Sequence, residues 1–275
     1  MQLISRFLIL AISLFVLSCG SDSRTSTENS PVTPEDLAPP REAHPFASAL
    51  EEAHGASKWE GADALQYEFA LRLEEKTLLA RILMETDFSS IKFITDKQEA
   101  LVWDTQHLYV SPKEVEWDNP RFDALTWPYL TAAPFKLNDP GTQLDSMGSG
   151  DLLGQSVQIA RVTFGEDAAA VPQSWYQVFK SDSSGLLVGM AYPFNLDEGS
   201  DAAVSHVVTF HLFGEFEGIK MATEWRFWEW SEEEGLGKRL GTARLAKFNL
   251  KETSKMDYSV PFSHRTYGAT GELED

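Results

Sequence analysis

Alternation of apolar and polar residues dominates this chain and predicts a mainly β structure. In LQYEFALRL, which begins at Leu65, apolar side chains occupy every second position and mostly polar ones lie between them. A period of two is typical of an antiparallel strand with one face in the core. Further strands are predicted at 78–85, 91–95, 100–103, 107–110, 155–164, 175–179, 186–194, 204–216, 219–230 and 240–251.

Two segments have helical rather than strand patterning. Residues 45–54 begin with Pro45, which suits a first helical position, and are followed by Gly55, a typical helix stop. Residues 119–133 also have helical spacing, and Pro128 is expected to kink or end that helix.

These elements predict an α+β fold that is mainly β with a few helices. Its centre is a strongly curved antiparallel half-barrel of about ten or eleven strands, because a sheet of that length tends to curl. The two helices would form a lid over the concave side. A half-barrel of this size can enclose a cavity instead of filling it with side chains.

The first residues predict export and lipid anchoring. The apolar run FLILAISLFVL is too short to span a bilayer and fits the core of a signal peptide, assigned to residues 1–18. It ends in Val-Leu-Ser-Cys-Gly, with Cys19 the only cysteine of the chain, and this resembles the lipobox of bacterial lipoproteins. The resemblance implies that Cys19 is acylated and becomes the new amino terminus, so the membrane is a partner through a lipid anchor.

Residues 19–43 are rich in Ser, Thr, Pro and acidic residues and predict a flexible tether. One domain is predicted over 44–263, followed by a flexible tail at 264–275. The predicted location is the bacterial cell envelope. Gly20 follows the cysteine where an inner-membrane protein of enterobacteria carries Asp, which favours the outer membrane, facing the periplasm, with surface exposure as the alternative.

Charge and composition exclude several functions. The formal net charge of −19 argues against a nucleic-acid partner. A single cysteine excludes disulfide frameworks and paired-cysteine zinc sites, and the histidines form no metal motif. Because no nucleophile elbow, Walker loop or zincin motif is present, we expect no metal, no cofactor and no enzyme activity.

Three motifs resemble a known family. They are Ala53-His54-Gly55 with Trp59, then Val102-Trp103-Asp104, and then the most specific one, Pro134-Phe135-Lys136-Leu137-Asn138-Asp139-Pro140-Gly141. Together they are similar to uncharacterised bacterial lipoproteins grouped with the LolA-like proteins, over roughly residues 44–250. The resemblance implies an open curved half-barrel with helices over an apolar cavity, and a ligand such as a lipid or the acyl chains of a lipoprotein. Where the family pattern has a second Gly after His-Gly, this chain has Ala56.

Aromatic and apolar residues on the predicted inner strand faces are the candidate cavity lining. The candidates are Tyr67, Phe69, Leu71, Trp103, Trp225 and Phe227. Trp228 and Trp230 occupy the opposite strand face, so one aromatic pair would be partly exposed or covered by another element. Core packing, a ligand-facing wall and a sugar or partner surface all stay open for these aromatics. For His54, a local structural hydrogen bond is favoured over a chemical role.

The main functional hypothesis is a membrane-anchored, non-enzymatic protein that binds an apolar ligand in the half-barrel. The alternative is a hydrolase of envelope glycans or polymers, which would need two carboxyl groups about 5–10 Å apart in an aromatic groove. A third reading is a structural envelope component with a large exposed apolar patch. The sequence identifies no protein partner.

Replacing the lipobox cysteine tests the anchor directly. We expect Cys19→Ala to abolish lipid labelling and normal processing, while the domain from about residue 44 onward still folds, because the tether contributes little to the core. Metabolic labelling with a clickable fatty acid checks the first half, and circular dichroism of the truncated chain checks the second. Equal incorporation in wild type and variant would contradict the lipobox assignment.

Overall fold

The computed structural model describes residues 43–165, 168, 172–194 and 205–274. The predicted signal peptide, Cys19 and nearly all of the predicted tether lie outside these residues. In the described part of the chain, no helix is both long and apolar enough to cross a bilayer.

The described residues form three α-helices and thirteen strands. The helices are α1 (Pro45–His54), α2 (Ala56–Glu60) and α3 (Pro120–Ala132), and short 3₁₀ turns lie at Ala133–Phe135 and Thr253–Lys255. The strands are β1 (Ala64–Leu73), β2 (Lys76–Glu85), β3 (Ile91–Thr95), β4 (Ala100–Trp103), β5 (His107–Ser111), β6 (Thr142–Leu152), β7 (Gln155–Phe164), β8 (Trp175–Ser181), β9 (Leu187–Pro193), β10 (Ser205–Phe216), β11 (Ile219–Ser231), β12 (Gly235–Lys251) and β13 (Arg265–Gly268).

All thirteen strands belong to one curved, unclosed antiparallel sheet. Their order is β13-β5-β4-β3-β2-β1-β12-β11-β10-β9-β8-β7-β6. Apart from the β1–β12 and β13–β5 pairings, strands that are neighbours in the sheet are also consecutive in sequence. The predicted fold class, a mainly β, strongly curved antiparallel half-barrel with helices, is confirmed.

Two strands were not predicted. β6 has the sequence TQLDSMGSGDL and is exposed along most of its length, so it has no alternating apolar signal. β13 lies in the segment predicted as a flexible tail, and it pairs instead with β5. Both strands are specified by backbone hydrogen bonds to a neighbour rather than by apolar side chains, and the sheet has thirteen strands instead of ten or eleven.

Helix α3 lies inside the concave side of the sheet. Asn119 caps its first turn by accepting a hydrogen bond from the Phe122 amide at 3.4 Å, and Pro120 occupies the first helical position. Every residue from Asp123 to Ala132 is buried, so the helix is surrounded on all sides. Pro128 was predicted to kink or end this helix, and the helix does not end there but continues to Ala132. Burial in the core outweighs the one backbone hydrogen bond that proline removes.

The junction between α1 and α2 admits only glycine. Gly55 has φ 98°, in the left-handed region. A Cβ atom there would lie 2.2 Å from the carbonyl oxygen of Gly218, in the turn between β10 and β11. The end of α1 therefore lies directly against the backbone of the sheet. Ala56 itself starts α2, so only one residue of the junction is left-handed.

We expect Gly55→Ala to reduce the free energy of unfolding by about 3 kcal/mol, from backbone strain together with displacement of the β10–β11 turn. Gly61→Ala is the matched control. Gly61 has φ −86°, and an added Cβ would come no closer than 3.5 Å to other atoms, so a change within about 0.5 kcal/mol is expected. Urea denaturation of both variants measures this. If both variants lose the same free energy of unfolding, the close approach of Gly55 to the Gly218 carbonyl is contradicted.

Candidate functional site

The concave face and α3 form one aromatic core. Trp127 of α3 stacks on Phe69 with ring centroids 5.7 Å apart, and the edge of Phe227 meets the same indole at 5.9 Å. Trp225 meets the edge of Phe69 at 5.7 Å. This packing fills most of the space that a half-barrel of this size could leave open.

The structure places all six predicted lining residues in this core. Each has no more than 2% of its surface exposed, namely Tyr67, Phe69, Leu71, Trp103, Trp225 and Phe227. Trp225 borders the first of the two small cavities described next, and Phe69 borders an open groove on β1 and β2. The others contact side chains of the filled interior.

Two small apolar cavities lie where α1 and α2 meet the sheet. The first has a volume of ≈ 20 Å³ and is bordered by Leu130 of α3, Phe213 of β10 and Trp225 of β11. The second, of ≈ 10 Å³, lies next to Trp59 of α2. Met221 borders both cavities. The larger cavity has room for about one water molecule, so an apolar ligand of any length needs the helices to move.

Polar contacts fasten the N-terminal end of α1. The Asn138 side chain accepts a hydrogen bond from the His44 amide at 2.9 Å. Its Nδ2 donates to Glu51 Oε2 at 2.9 Å and to Ser48 Oγ at 3.3 Å. One side chain from the PFKLNDPG motif thus holds the cap and the first turns of α1.

His54 fastens the other end of α1. The Leu187 amide donates to its Nε2 at 2.9 Å, so Nδ1 carries the proton and donates to the Lys220 carbonyl oxygen at 2.7 Å. Burial lowers the pKa of His54 from 6.5 to about 4, so the ring is neutral at pH 7. Both ring nitrogens of His54 bond to backbone groups of β9 and β11, which are 133 and 166 residues away in sequence, rather than to a local group as the sequence suggested.

The other residues of the two family motifs meet at the same helices. Phe135 stacks on Trp59 with centroids 4.5 Å apart and an interplanar angle of 8°, and the edge of His54 meets Phe135 at 6.1 Å. Pro134 borders the larger cavity and Leu137 is buried. These motif residues hold α1 and α2 against α3.

The second half of the PFKLNDPG motif forms the exit from α3 into β6. Lys136 pairs with Asp139, and its ammonium lies 4.8 Å from the ring centroid of Phe88. Pro140 is exposed, and the Gly141 carbonyl accepts a hydrogen bond from the Gly165 amide at 2.8 Å. The motif as a whole connects structural elements.

A buried carboxylate went unnoticed in the sequence. Asp123, in the first turn of α3, accepts hydrogen bonds from Lys76 Nζ at 2.5 Å, Trp117 Nε1 at 2.7 Å and Trp127 Nε1 at 2.8 Å. Burial raises its pKa, and Lys76 opposes that shift. The available signal was an acidic residue inside an otherwise apolar helix.

Asp123 also bears on the hydrolase alternative. Within the described residues it is the one carboxylate among the buried polar side chains. Its hydrogen-bond partners are an ammonium and two indoles, rather than a second carboxyl group across a groove. For the same part of the chain, no cluster of three or more His, Cys, Asp or Glu side chains could hold a metal ion.

The outer aromatic pair belongs to a second, smaller core. Trp228 and Trp230 are partly buried and pack with Val157, Phe179 and other residues on the outer face of the sheet. Trp230 lies 6.3 Å from Trp175 between ring centroids. The pair is therefore partly exposed, one of the two arrangements that the sequence left open, and its buried part packs against this second core.

Comparisons with known proteins give similarity only to solved structures. No family profile matches the chain, and no curated protein sequence does. A LolA superfamily protein from Nitrosomonas europaea is 10% identical and covers 72% of this chain and 94% of its own, with a TM-score of 0.46. A putative outer membrane lipoprotein-sorting domain from Vibrio parahaemolyticus is 10% identical and covers 77% and 95%, with a TM-score of 0.44. A DUF1329 family protein from Desulfovibrio piger is 12% identical and covers 76% and 92%, with a TM-score of 0.42.

The state of His54 makes stability depend on pH. Its pKa is about 4 in the folded protein and 6.5 when unfolded, so between these values the unfolded chain binds the extra proton. Stability contributed by the neutral ring is complete above about pH 6.5 and falls as the pH drops towards 4, by at most about 3 kcal/mol. We expect His54→Gln to have a lower free energy of unfolding than wild type at pH 7. This difference should become smaller towards pH 4.

Denaturant midpoints of both proteins between pH 4 and pH 8 measure how this stability difference changes. Gly61→Ala is the matched control, because it changes a residue next to α2 without adding or removing a titratable group. Its difference in stability from wild type should vary little with pH. If the stability difference between His54→Gln and wild type stays constant from pH 4 to pH 8, the buried neutral ring is contradicted.

Proposed function

We propose that this protein binds an apolar ligand, the acyl chains of a lipid or lipoprotein, between α1 and the concave face of the sheet. It binds without catalysis. Acylated Cys19 anchors it to the envelope membrane, at the outer membrane facing the periplasm. The 19–43 tether lets the domain stand away from the lipid surface.

The main support for this proposal is that α1 packs against the sheet with few buried apolar side chains. Helix α1 buries only Phe46, Ala47, Leu50 and His54. Its two ends are held largely by hydrogen bonds, each worth about 1 kcal/mol net. The two small apolar cavities lie beneath this helix pair, so a cover with few buried apolar side chains lies above them.

The chemistry of that space suits a hydrocarbon chain. Phe210, Phe213, Met221, Trp225 and Leu245 border the larger cavity with apolar side chains. Met221, which borders both cavities, has an unbranched and flexible side chain that can repack around a ligand. On this proposal, lifting α1 joins the two cavities and opens an apolar surface long enough for an acyl chain, and the arrangement described above corresponds to the closed form.

Quenching of tryptophan fluorescence by brominated fatty acids tests this site. We expect ω-bromoundecanoic acid to quench the full chain carrying Cys19→Ala in a saturable way, because bromine quenches an indole at contact. Adding Trp225→Phe should remove a large share of that quenching, since Trp225 borders the cavity. Trp230→Phe, on the outer face, is the matched control and should leave the saturable component unchanged. Absence of saturable quenching, or equal loss in both variants, would contradict the proposed site.

A further inference from the structure

A row of polar aromatic side chains crosses the otherwise apolar concave face. Tyr192 of β9 is the register partner of His206 on β10, with ring centroids 6.3 Å apart. Tyr176 of β8 lies beside Tyr192, again at 6.3 Å. Tyr129 of α3 stacks on Tyr176 with centroids 4.9 Å apart and an interplanar angle of 12°. Three tyrosines from a helix and two strands therefore meet in one place.

The hydroxyl groups of these tyrosines are buried without partners. Tyr129 is 2% exposed and Tyr176 and Tyr192 are 0% exposed, yet none of the three hydroxyls has a hydrogen-bond partner among the described residues. By contrast, the equally buried Tyr67 hydroxyl receives a hydrogen bond from Thr131 at 3.0 Å. Buried polar groups in folded proteins are nearly always paired, so three adjacent exceptions need an explanation.

The three hydroxyls influence one another. Burial raises the pKa of Tyr176 well above its ordinary value, and the neighbouring Tyr129 and Tyr192 raise that pKa further. The His206 ring beside them also has an Nδ1 atom without a partner in the described part of the chain. The cluster is thus a group of neutral donors and acceptors inside the apolar core.

We propose that Tyr129, Tyr176 and Tyr192 form a polar subsite for the ester or amide carbonyl at the head of an acyl chain. This inference rests on the proposed function, since the chain itself occupies the space under α1. A neutral carbonyl fits because the cluster supplies hydroxyl donors and no cation. A buried carboxylate or phosphate would lack a compensating charge there.

The subsite lies within reach of the cavities. Leu187 borders the larger cavity, and Tyr192 lies five residues further along the same strand, roughly 17 Å away at about 3.3 Å per residue. Tyr129 directly precedes Leu130, which borders the cavity from α3. One extended acyl chain can therefore place its tail under α1 and its carbonyl at the tyrosines.

Matched ligands and Tyr→Phe variants test the subsite in the full chain carrying Cys19→Ala. The probes are methyl ω-bromohexadecanoate and bromohexadecane, which share a hydrocarbon chain long enough to reach from the cavity to the tyrosines and differ in the ester. We expect the ester to bind more tightly than the hydrocarbon. Tyr129→Phe, Tyr176→Phe and Tyr192→Phe should each weaken ester binding roughly three- to tenfold and leave hydrocarbon binding unchanged. Tyr109→Phe, whose hydroxyl donates to Asp104 at 3.1 Å on the surface, is the control with an unchanged ratio.

Thermal unfolding of the ligand-free variants gives a second readout. Removing an unpartnered hydroxyl should raise Tm in the three core variants, whereas Tyr67→Phe, which leaves Thr131 with one partner fewer, should lower it. An ester-to-hydrocarbon ratio that is the same in wild type and core variants would overturn the subsite. So would a Tm that falls in all three as it does in Tyr67→Phe. If neither probe binds, the proposed function itself fails, and that outcome is distinct from binding without ester preference.

Discussion

The burial of α3 against the concave face of the sheet is the interaction on which the rest of this structure depends. An open sheet of thirteen strands exposes a long apolar surface on its inner side, and a helix with apolar residues all round covers it. Its one buried charge, Asp123, is held by Lys76 and two indoles, which makes the helix position specific as well as apolar. With α3 in place, α1 and α2 need to cover only the remaining boundary, and they do so with few apolar contacts.

Much of the fold could be predicted from the sequence, because most strands have alternating apolar and polar residues. The strand from Leu65 to Leu73 buries its alternate residues as expected, and α1 lies where Pro45 and Gly55 place it. β6 and β13 could not be predicted, because neither has an alternation of apolar and polar side chains of its own. β6 pairs with the next strand, β7, across a tight turn, and β13 pairs with β5, which is distant in sequence. α3 continues past Pro128, because burial of the helix in the core overrides the local tendency of proline to end a helix.

The candidate site was only partly foreseeable. Inward-facing aromatics such as Phe69 and Phe227 were identified correctly as buried, but alternation cannot show whether α3 fills the space that they face. His54 and Asn138, two residues of the family motifs, hold α1 in place through hydrogen bonds. Predicting this role requires knowing that segments distant in sequence meet at α1. The unpaired hydroxyl of Tyr176 gives no sequence signal, because a paired and an unpaired tyrosine look alike in a sequence.

The proposed function requires that the closed, filled interior opens to take an acyl chain. Native mass spectrometry of the protein purified from a bacterial envelope tests this most directly, because covalent acylation at Cys19 survives collisional activation and a bound lipid does not. We predict a non-covalent adduct with the mass of an acyl lipid that is released on activation and restored by titration with fatty acid. A ligand-free mass that does not change on titration would contradict the account.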